Sequence, residues 1–123
     1  MEIPVGASIL VVREPWVSMI LDGKKTMEIR GFKCNKTPGE YVYFSESGTG
    51  TIAGVARFVE SIRFHTEEEM RNSQDKHCVP AYAHVPYKKI YGWVFSDAQR
   101  IPPVKYHVKR GSIVWRKYMP VLK

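Results

Sequence analysis

Cysteine is scarce in this sequence, which has only Cys34 and Cys78 among its 123 residues. Two cysteines are too few for a disulfide framework, and they do not form a Cys-x-x-Cys pair. We therefore expect both to be reduced thiols in an intracellular protein. Metal ligands are equally sparse, because His77 and His84 have no partners at a known metal-site spacing. We predict no metal site and no cofactor.

Long apolar segments are also missing. No stretch approaches the ~18 apolar residues of a membrane span, and the amino terminus lacks the basic and then apolar pattern of a signal peptide. Repeats, low-complexity tracts and domain linkers are absent as well. The length suits one domain over residues 1–123 with a core of its own. We predict a single-domain monomer that makes no membrane contact.

Acidic residues are missing from the last quarter of the chain. Residues 98–123 contain seven Lys or Arg and no Asp or Glu, whereas residues 1–97 contain twelve residues of each sign. Uncompensated cations attract polyanions, of which nucleic acids are the commonest soluble class. Charge that serves only solubility is the alternative interpretation. The predicted basic patch comprises Arg100, Lys105, Lys109, Arg110, Arg116 and Lys117, with Lys123 at the carboxyl end.

Apolar periodicity predicts several strands and two helices, an α+β protein. Residues 7–13 form the first predicted strand, and a helix with a broad apolar face follows from Pro15 to Gly23. Thr66 and Glu69 form a capping box that opens a second short helix. The remaining predicted strands are residues 25–30, 41–46, 51–64, 90–95 and 105–118, with a break at Pro102-Pro103 and irregular structure over residues 73–90.

The segment from Gly23 to Arg30 concentrates charge at the junction between the first helix and the second strand. It places Lys24, Lys25, Glu28 and Arg30 within eight residues. Side chains alternate along a strand, which puts Glu28 beside Arg30 and Lys25 on the opposite face. The three converge on one cleft only if the chain bends after the helix, which Gly23 permits. Glu28 and Arg30 then form either a structural ion pair or a guanidinium fork for a phosphate or base.

Aromatic residues supply two further candidates for contact with a nucleic acid. Trp16 starts the first helix, where its ring either packs in the core or stacks on a base. A second segment interleaves aromatic and basic side chains: Tyr82, Tyr87, Lys88, Lys89, Tyr91 and Trp93. This segment is either a covering loop or a surface for single-stranded nucleic acid. The sequence contains no G-x-S-x-G elbow or matched Cys/His pair typical of a hydrolase.

Five stretches of the sequence together resemble the ASCH (activating-signal-cointegrator homology) domain. Gly23 to Arg30 matches its signature, G-x-K-x-x-E-x-R, and Leu10 to Trp16 resembles its opening strand and Pro-Trp helix start. Three later stretches are similar to the closing strands of the branch of endothelial-overexpressed lipopolysaccharide-associated proteins: Gly92 to Phe95, Pro102 to Val104 and Gly111 to Trp115. The resemblance implies a small mixed β-barrel like that of PUA RNA-binding modules. Such a barrel has five to six strands, a helix after the first strand and a second short helix.

The resemblance also implies a function. In this family the charged motif lines a cleft that binds RNA or another single-stranded nucleic acid, in RNA metabolism or transcription regulation. The cleft residues implied here are Trp16, Lys24, Lys25, Thr26, Glu28 and Arg30.

A hydrolase that modifies nucleosides or RNA, or a ribonuclease, is the alternative. Some small bacterial ASCH proteins deacylate N4-acetylcytidine with a lysine, a threonine and a glutamate. Lys25 matches the lysine, but Glu28 occupies the threonine position and Thr26 lies two residues earlier. If the chain is an enzyme, its candidate catalytic residues are therefore Lys25 and Glu28. A protein-interaction module that uses the motif as a scaffold is the third interpretation.

Overall fold

The computed structural model describes residues 2–81, 83–109 and 114–121. Tyr82 of the aromatic segment, Arg110 and Lys123 of the basic residues, and residues 111–113 of a predicted closing strand lie outside these ranges. None of the helices in the described ranges is long and apolar enough to cross a membrane. The elements are β1 (Ser8–Val12), α1 (Trp16–Leu21), β2 (Met27–Arg30), β3 (Tyr41–Glu46), β4 (Thr51–Phe64), α2 (Glu67–Arg71), α3 (Gln74–His77), β5 (Ile90–Lys105) and β6 (Trp115–Lys117).

The strands form one mixed sheet in the order β2-β5-β4-β3-β1-β6. β1 and β3 are parallel, and the other neighbouring pairs are antiparallel. The predicted α+β class and the strand number are confirmed. Within the described ranges β2 and β6 are the two edges and do not pair with each other, so the sheet is open and the predicted closure into a barrel is not observed.

Helix α1 packs one face onto the sheet. Val17, Ile20 and Leu21 recur at helical spacing, share one side of the helix and are buried. They join a core cluster that includes Phe44 of β3 and Phe95 of β5, whose rings pack edge to face. This burial fixes α1 over the sheet and sets the position of the charged segment that follows it.

The predicted break between the last strands is wrong, because the strand β5 continues through two prolines. Ile90–Lys105 is one strand, whereas the sequence predicted a break at Pro102-Pro103. Proline lacks a backbone N–H and is confined to the edges and bulges of sheets. Both conditions hold here: β2 pairs only with residues 91–94 of β5, and the register between β4 and β5 shifts between Ile52 and Gly54, opposite the prolines.

Several other predicted elements are confirmed. β3 and β4 occupy the predicted ranges Tyr41–Glu46 and Thr51–Phe64. The Thr66 side chain caps α2 by accepting a hydrogen bond of 3.1 Å from the backbone N–H of Glu69. β6 is shorter than the strand predicted over residues 105–118. Helix α3 was not predicted, and it falls within the stretch expected to be irregular.

Candidate functional site

The charged segment begins with a chain reversal at the end of α1. Gly23 has φ +81°, a left-handed conformation that favours glycine. The backbone N–H groups of Lys24 and Lys25 both donate to the carbonyl of Met19, each at 3.0 Å. β2 starts only at Met27, so strand alternation does not extend back to Lys25. The reversal supplies the bend needed to bring Lys25 to the same side as Glu28.

Lys25 is a buried cation with three partners. Only 2% of the residue is exposed. Its Nζ donates to the backbone carbonyl of His77, lies 3.5 Å from Oε1 of Glu28, and sits 4.7 Å from the centre of the Trp16 ring. Burial lowers the pKa of the Lys25 ammonium, and the neighbouring carboxylate of Glu28 opposes that shift. The ammonium is thereby surrounded by a carbonyl, a carboxylate and an indole face.

Glu28 joins Lys25 to Arg30. Its Oε2 accepts hydrogen bonds from both Nε and Nη2 of Arg30, at 3.2 and 2.9 Å. Nη2 also donates to the carbonyl of Val11, and Cζ lies 5.7 Å from the centre of the Trp93 ring. Two cations around one carboxylate leave this cluster with a net positive charge. Nη1 of Arg30 has no hydrogen-bond partner among the described residues and is therefore available to a ligand.

His77 supports Lys25 through its backbone carbonyl, and its imidazole ring is itself held by two hydrogen bonds. The ring is buried at the end of α3, where its Nδ1 accepts a hydrogen bond of 2.9 Å from the N–H of Val79. Nε2 must then carry the proton, which it donates to the carbonyl of Met70 at 2.7 Å. Burial lowers the pKa of His77, and the nearby Lys25 ammonium acts in the same direction. Both ring nitrogens thus have hydrogen-bond partners that suit the neutral imidazole.

Sequence reasoning missed this role of His77. The residue lies 52 positions from Lys25, and only the folded chain brings α3 beside the start of β2. A backbone contact reinforces the placement, because Thr26 N–H donates to the carbonyl of Lys76 at 2.9 Å.

The buried charges form the floor of a cleft of about 550 Å³. Trp16 and Arg13 line one part of its wall, Ser47 another, and the segment of Val79 and residues 83–87 lines the remaining side. Tyr87 from that segment packs on Gly31: a Cβ added to the glycine would lie 2.7 Å from Cδ1 of the tyrosine ring. This volume falls within the range of small-molecule pockets. The cleft combines an indole surface with a cationic floor.

The structure does not bring all six predicted cleft residues together. Trp16, Lys25, Glu28 and Arg30 line the cleft, whereas Lys24 and Thr26 are exposed and lie outside it. The backbone of Thr26 extends the pairing of β2 with β5 by one residue, because its carbonyl accepts a hydrogen bond from the N–H of Phe95 at 2.9 Å. Trp16 itself is half-buried, so its ring both packs against the core and contributes to the cleft wall.

The predicted basic patch divides in three. Lys109, Arg116 and Lys117 share a second cavity of about 870 Å³, which we call the basic groove; its side chains also include Lys36, His107 and Trp115. Arg100 instead pairs with Asp22 at the end of α1, at 2.8 Å. Lys105 is exposed at the end of β5 and does not line the groove. Arg110 lies outside the described residues.

The aromatic and basic segment before β5 is also divided. Tyr87 lines the cleft, whereas Lys88 lines a separate cavity of about 390 Å³ between α2 and residues 79–81, 83–85 and 90. Trp93 is fully buried and donates from Nε1 to the carbonyl of Phe32 at 2.8 Å, so it is a core residue. No group of three or more His, Cys, Asp or Glu side chains in residues 2–81, 83–109 and 114–121 is arranged to hold a metal ion.

Comparison with known proteins relates this chain to a protein family and to solved structures. The sequence profile of the ASCH domain matches residues 10–105. A serine-to-alanine variant of the ASCH protein from Zymomonas mobilis has a similar structure, with a TM-score of 0.70 and 15% identity over 84% of this chain and 77% of that one. The ASCH structure from the same organism gives a TM-score of 0.66 and 14% identity over 81% and 73% of the two chains. No curated protein sequence matches this chain.

Proposed function

Because the chain belongs to the ASCH domain family, whose fold is PUA-like, we propose that it binds RNA or another single-stranded nucleic acid through the cleft. One unpaired base enters the cleft, and the protein acts in RNA metabolism or transcription regulation. The observation that carries the proposal is the buried Lys25–Glu28–Arg30 cluster, whose net positive charge lies at the floor of a base-sized cavity beside an indole ring.

Each side chain of the cleft has a separate task in this proposal. Glu28 holds the guanidinium of Arg30, and the free Nη1 donates to a carbonyl oxygen of the base or to a phosphate. Trp16 offers a ring on which a base stacks, as in proteins that bind single strands. Lys25 is buried among a carbonyl, Glu28 and Trp16, so it acts by positioning Glu28 and Trp16 rather than by touching the ligand.

The proposal is tested with a labelled oligouridylate and the variants Arg30→Lys and Trp16→Ala. Arg30→Lys keeps the charge but loses the planar donors, and we expect affinity to fall about tenfold or more. Trp16→Ala should weaken binding by about 1–3 kcal/mol through lost stacking. Fluorescence anisotropy measures both, and thermal unfolding of each variant verifies that the protein is folded.

Arg63→Lys is the matched control, since Arg63 is exposed and lines none of the described cavities. Its affinity should equal that of the wild type. Wild-type affinity in folded Arg30→Lys and Trp16→Ala proteins would contradict binding at the cleft.

A nucleoside- or RNA-modifying hydrolase at the same cleft is the second candidate. The observation that favours it is the lowered pKa of buried Lys25, whose Nζ lies 3.5 Å from a carboxylate oxygen. A lysine that releases its proton more easily is better suited to act as a general base. Thr26 is exposed outside the cleft, so the threonine of the bacterial amidohydrolases has no counterpart there, although the hydroxyl of Ser47 lies on the wall.

Turnover of N4-acetylcytidine and cleavage of oligoribonucleotides separate the two candidates. If the protein only binds nucleic acid, the wild type should turn over neither substrate at any pH. Turnover that is present in the wild type and lost in Lys25→Met, with the variant still folded, would replace the binding proposal with the hydrolase.

A further inference from the structure

The basic groove carries positive charge that no described residue around it neutralises. Four cations line it, Lys36, Lys109, Arg116 and Lys117, and the described residues of its lining include no carboxylate. Over the part of the chain that the structure describes, none of the four forms an ion pair. Two come from β6, one from the segment after β5, and Lys36 from the connection between β2 and β3. The fold therefore gathers these cations from three separate stretches of sequence.

A column of stacked side chains joins this groove to the cleft. Lys36 Nζ lies 4.5 Å from the centre of the Trp115 ring, and Trp115 stacks on Trp93 at 5.7 Å with planes 11° apart. The other end of the column is Arg30, whose Cζ is 5.7 Å from the Trp93 ring. One cation of the column thus lies at the floor of the cleft and the other in the groove. Three contacts, two of which involve the buried Trp93 ring, connect them, so the cleft and the groove are near each other in the fold.

We propose that the basic groove is a second subsite for the strand that places its base in the cleft, and that it holds the phosphates of neighbouring nucleotides. This inference rests on the proposed function. The cations of the groove lie beside the partly buried Trp115 ring, and cations near an aromatic ring are typical of surfaces that follow a single-stranded backbone. Unpaired cations favour a ligand with a charge at every repeat, and the cleft admits an unpaired base, so a single strand fits both surfaces.

The inference predicts that affinity depends on ligand length and that the groove matters only for long ligands. We compare a uridine dinucleotide with a dodecamer, using the wild type and the double variant Lys36→Gln/Lys117→Gln. The dinucleotide should bind both proteins equally. The dodecamer should bind the double variant about tenfold more weakly at low salt. Because two phosphate contacts are lost, the slope of log affinity against log salt should become shallower by about 1.4.

Two controls make the outcome specific. Arg63→Gln/Lys76→Gln removes two exposed cations that line none of the described cavities and should leave dodecamer affinity and salt slope close to wild type. A dodecamer of aspartate tests whether the groove takes an acidic protein segment instead. Peptide binding as tight as that of the nucleic acid, and lost in the groove variant, would overturn the assignment to a nucleic acid.

The inference and the proposed function fail in different ways. If the double variant binds the dodecamer with wild-type affinity and slope, the groove is not a subsite, while binding at the cleft stands. If the wild type binds neither oligonucleotide, the proposed function is wrong and the groove assignment falls with it.

Discussion

In the cleft, one carboxylate lies between two cations and all three are largely shielded from water. In the basic groove, four cations share a surface whose described residues include no carboxylate. The side chains of Lys25 and Glu28 are 1% and 9% exposed. Lys109 and Lys117 in the groove are exposed and unpaired within the described residues. The same types of side chain are thus used in two electrostatic environments.

The difference assigns different physical tasks to the two regions. Buried charges are costly to desolvate and are retained with partners that fix their geometry. Such a group can hold a donor in place for a ligand, and salt affects it little. Exposed, unpaired cations fix no geometry, but they attract a polyanion over a distance and lose that attraction as salt rises. We expect the cleft to determine which group binds, and the groove to determine how long and how charged the ligand must be.

The largest effect should follow from removing the carboxylate of the cleft. Glu28→Ala leaves Lys25 and Arg30 as adjacent, partly desolvated cations, and breaking a buried pair in this way typically costs about 3–5 kcal/mol. Chemical denaturation measures the loss. Lys117→Ala in the groove is the matched comparison, and it should leave stability unchanged or slightly raised, because it removes a cation from a cluster of like charges. Equal effects of the two substitutions would remove the distinction between the regions.

A smaller effect is the expected difference between the coupling energies of the two lysine–tryptophan pairs. Lys25 lies 4.7 Å from the Trp16 ring, and Lys36 lies 4.5 Å from the Trp115 ring. The distances are alike, but Lys25 is desolvated. Cation–π contacts are worth about 2 kcal/mol when desolvated and about 0.5–1 kcal/mol at exposed sites. Double-mutant cycles with Lys→Met and Trp→Leu should give coupling energies in that order. A reversed order would show that Lys25 is solvated in solution.

The smallest effect is a pH dependence of stability that arises from His77. Burial lowers its pKa below the ordinary value of 6.5, so the unfolded chain takes up the proton first as the solution is acidified. The contribution to stability is present above pH 6.5 and is lost progressively as the pH falls through the pKa of the folded protein. Urea denaturation at a series of pH values measures it.

His77→Asn should remove this pH-dependent contribution, since the asparagine carbonyl can accept the Val79 N–H without titrating. His84→Asn is the control, because His84 is exposed, and it should keep the wild-type dependence. An unchanged slope in His77→Asn would contradict a neutral, buried imidazole.

The elements that local pattern and turn residues define were predictable from the sequence. β4 begins and ends at the predicted residues because glycines precede it and Thr66 caps the helix that follows. The continuity of β5 through Pro102-Pro103 was not predictable, since it depends on which strands flank the prolines. Pairing partners are tertiary information, and no single segment contains them.

The candidate site shows the same division. The proximity of Glu28 and Arg30 follows from strand alternation, and the structure gives that ion pair. Alternation placed Lys25 on the opposite face, and the actual position reflects two backbone hydrogen bonds to Met19 that delay the start of β2. The contact between Lys25 and His77 has no local signal at all. The charged residues of the candidate site were therefore visible in the sequence, while their burial and their supporting partners were not.

Tyr87 rests on the bare backbone of Gly31, and this contact constrains how the protein can change over evolution. An alanine at position 31 would bring its methyl group to 2.7 Å from the tyrosine ring, so the ring would have to leave its place in the cleft wall. Residues 31 and 87 can therefore change only together. A lineage that enlarges residue 31 must shrink or displace residue 87, and it alters the outline of the cleft when it does so.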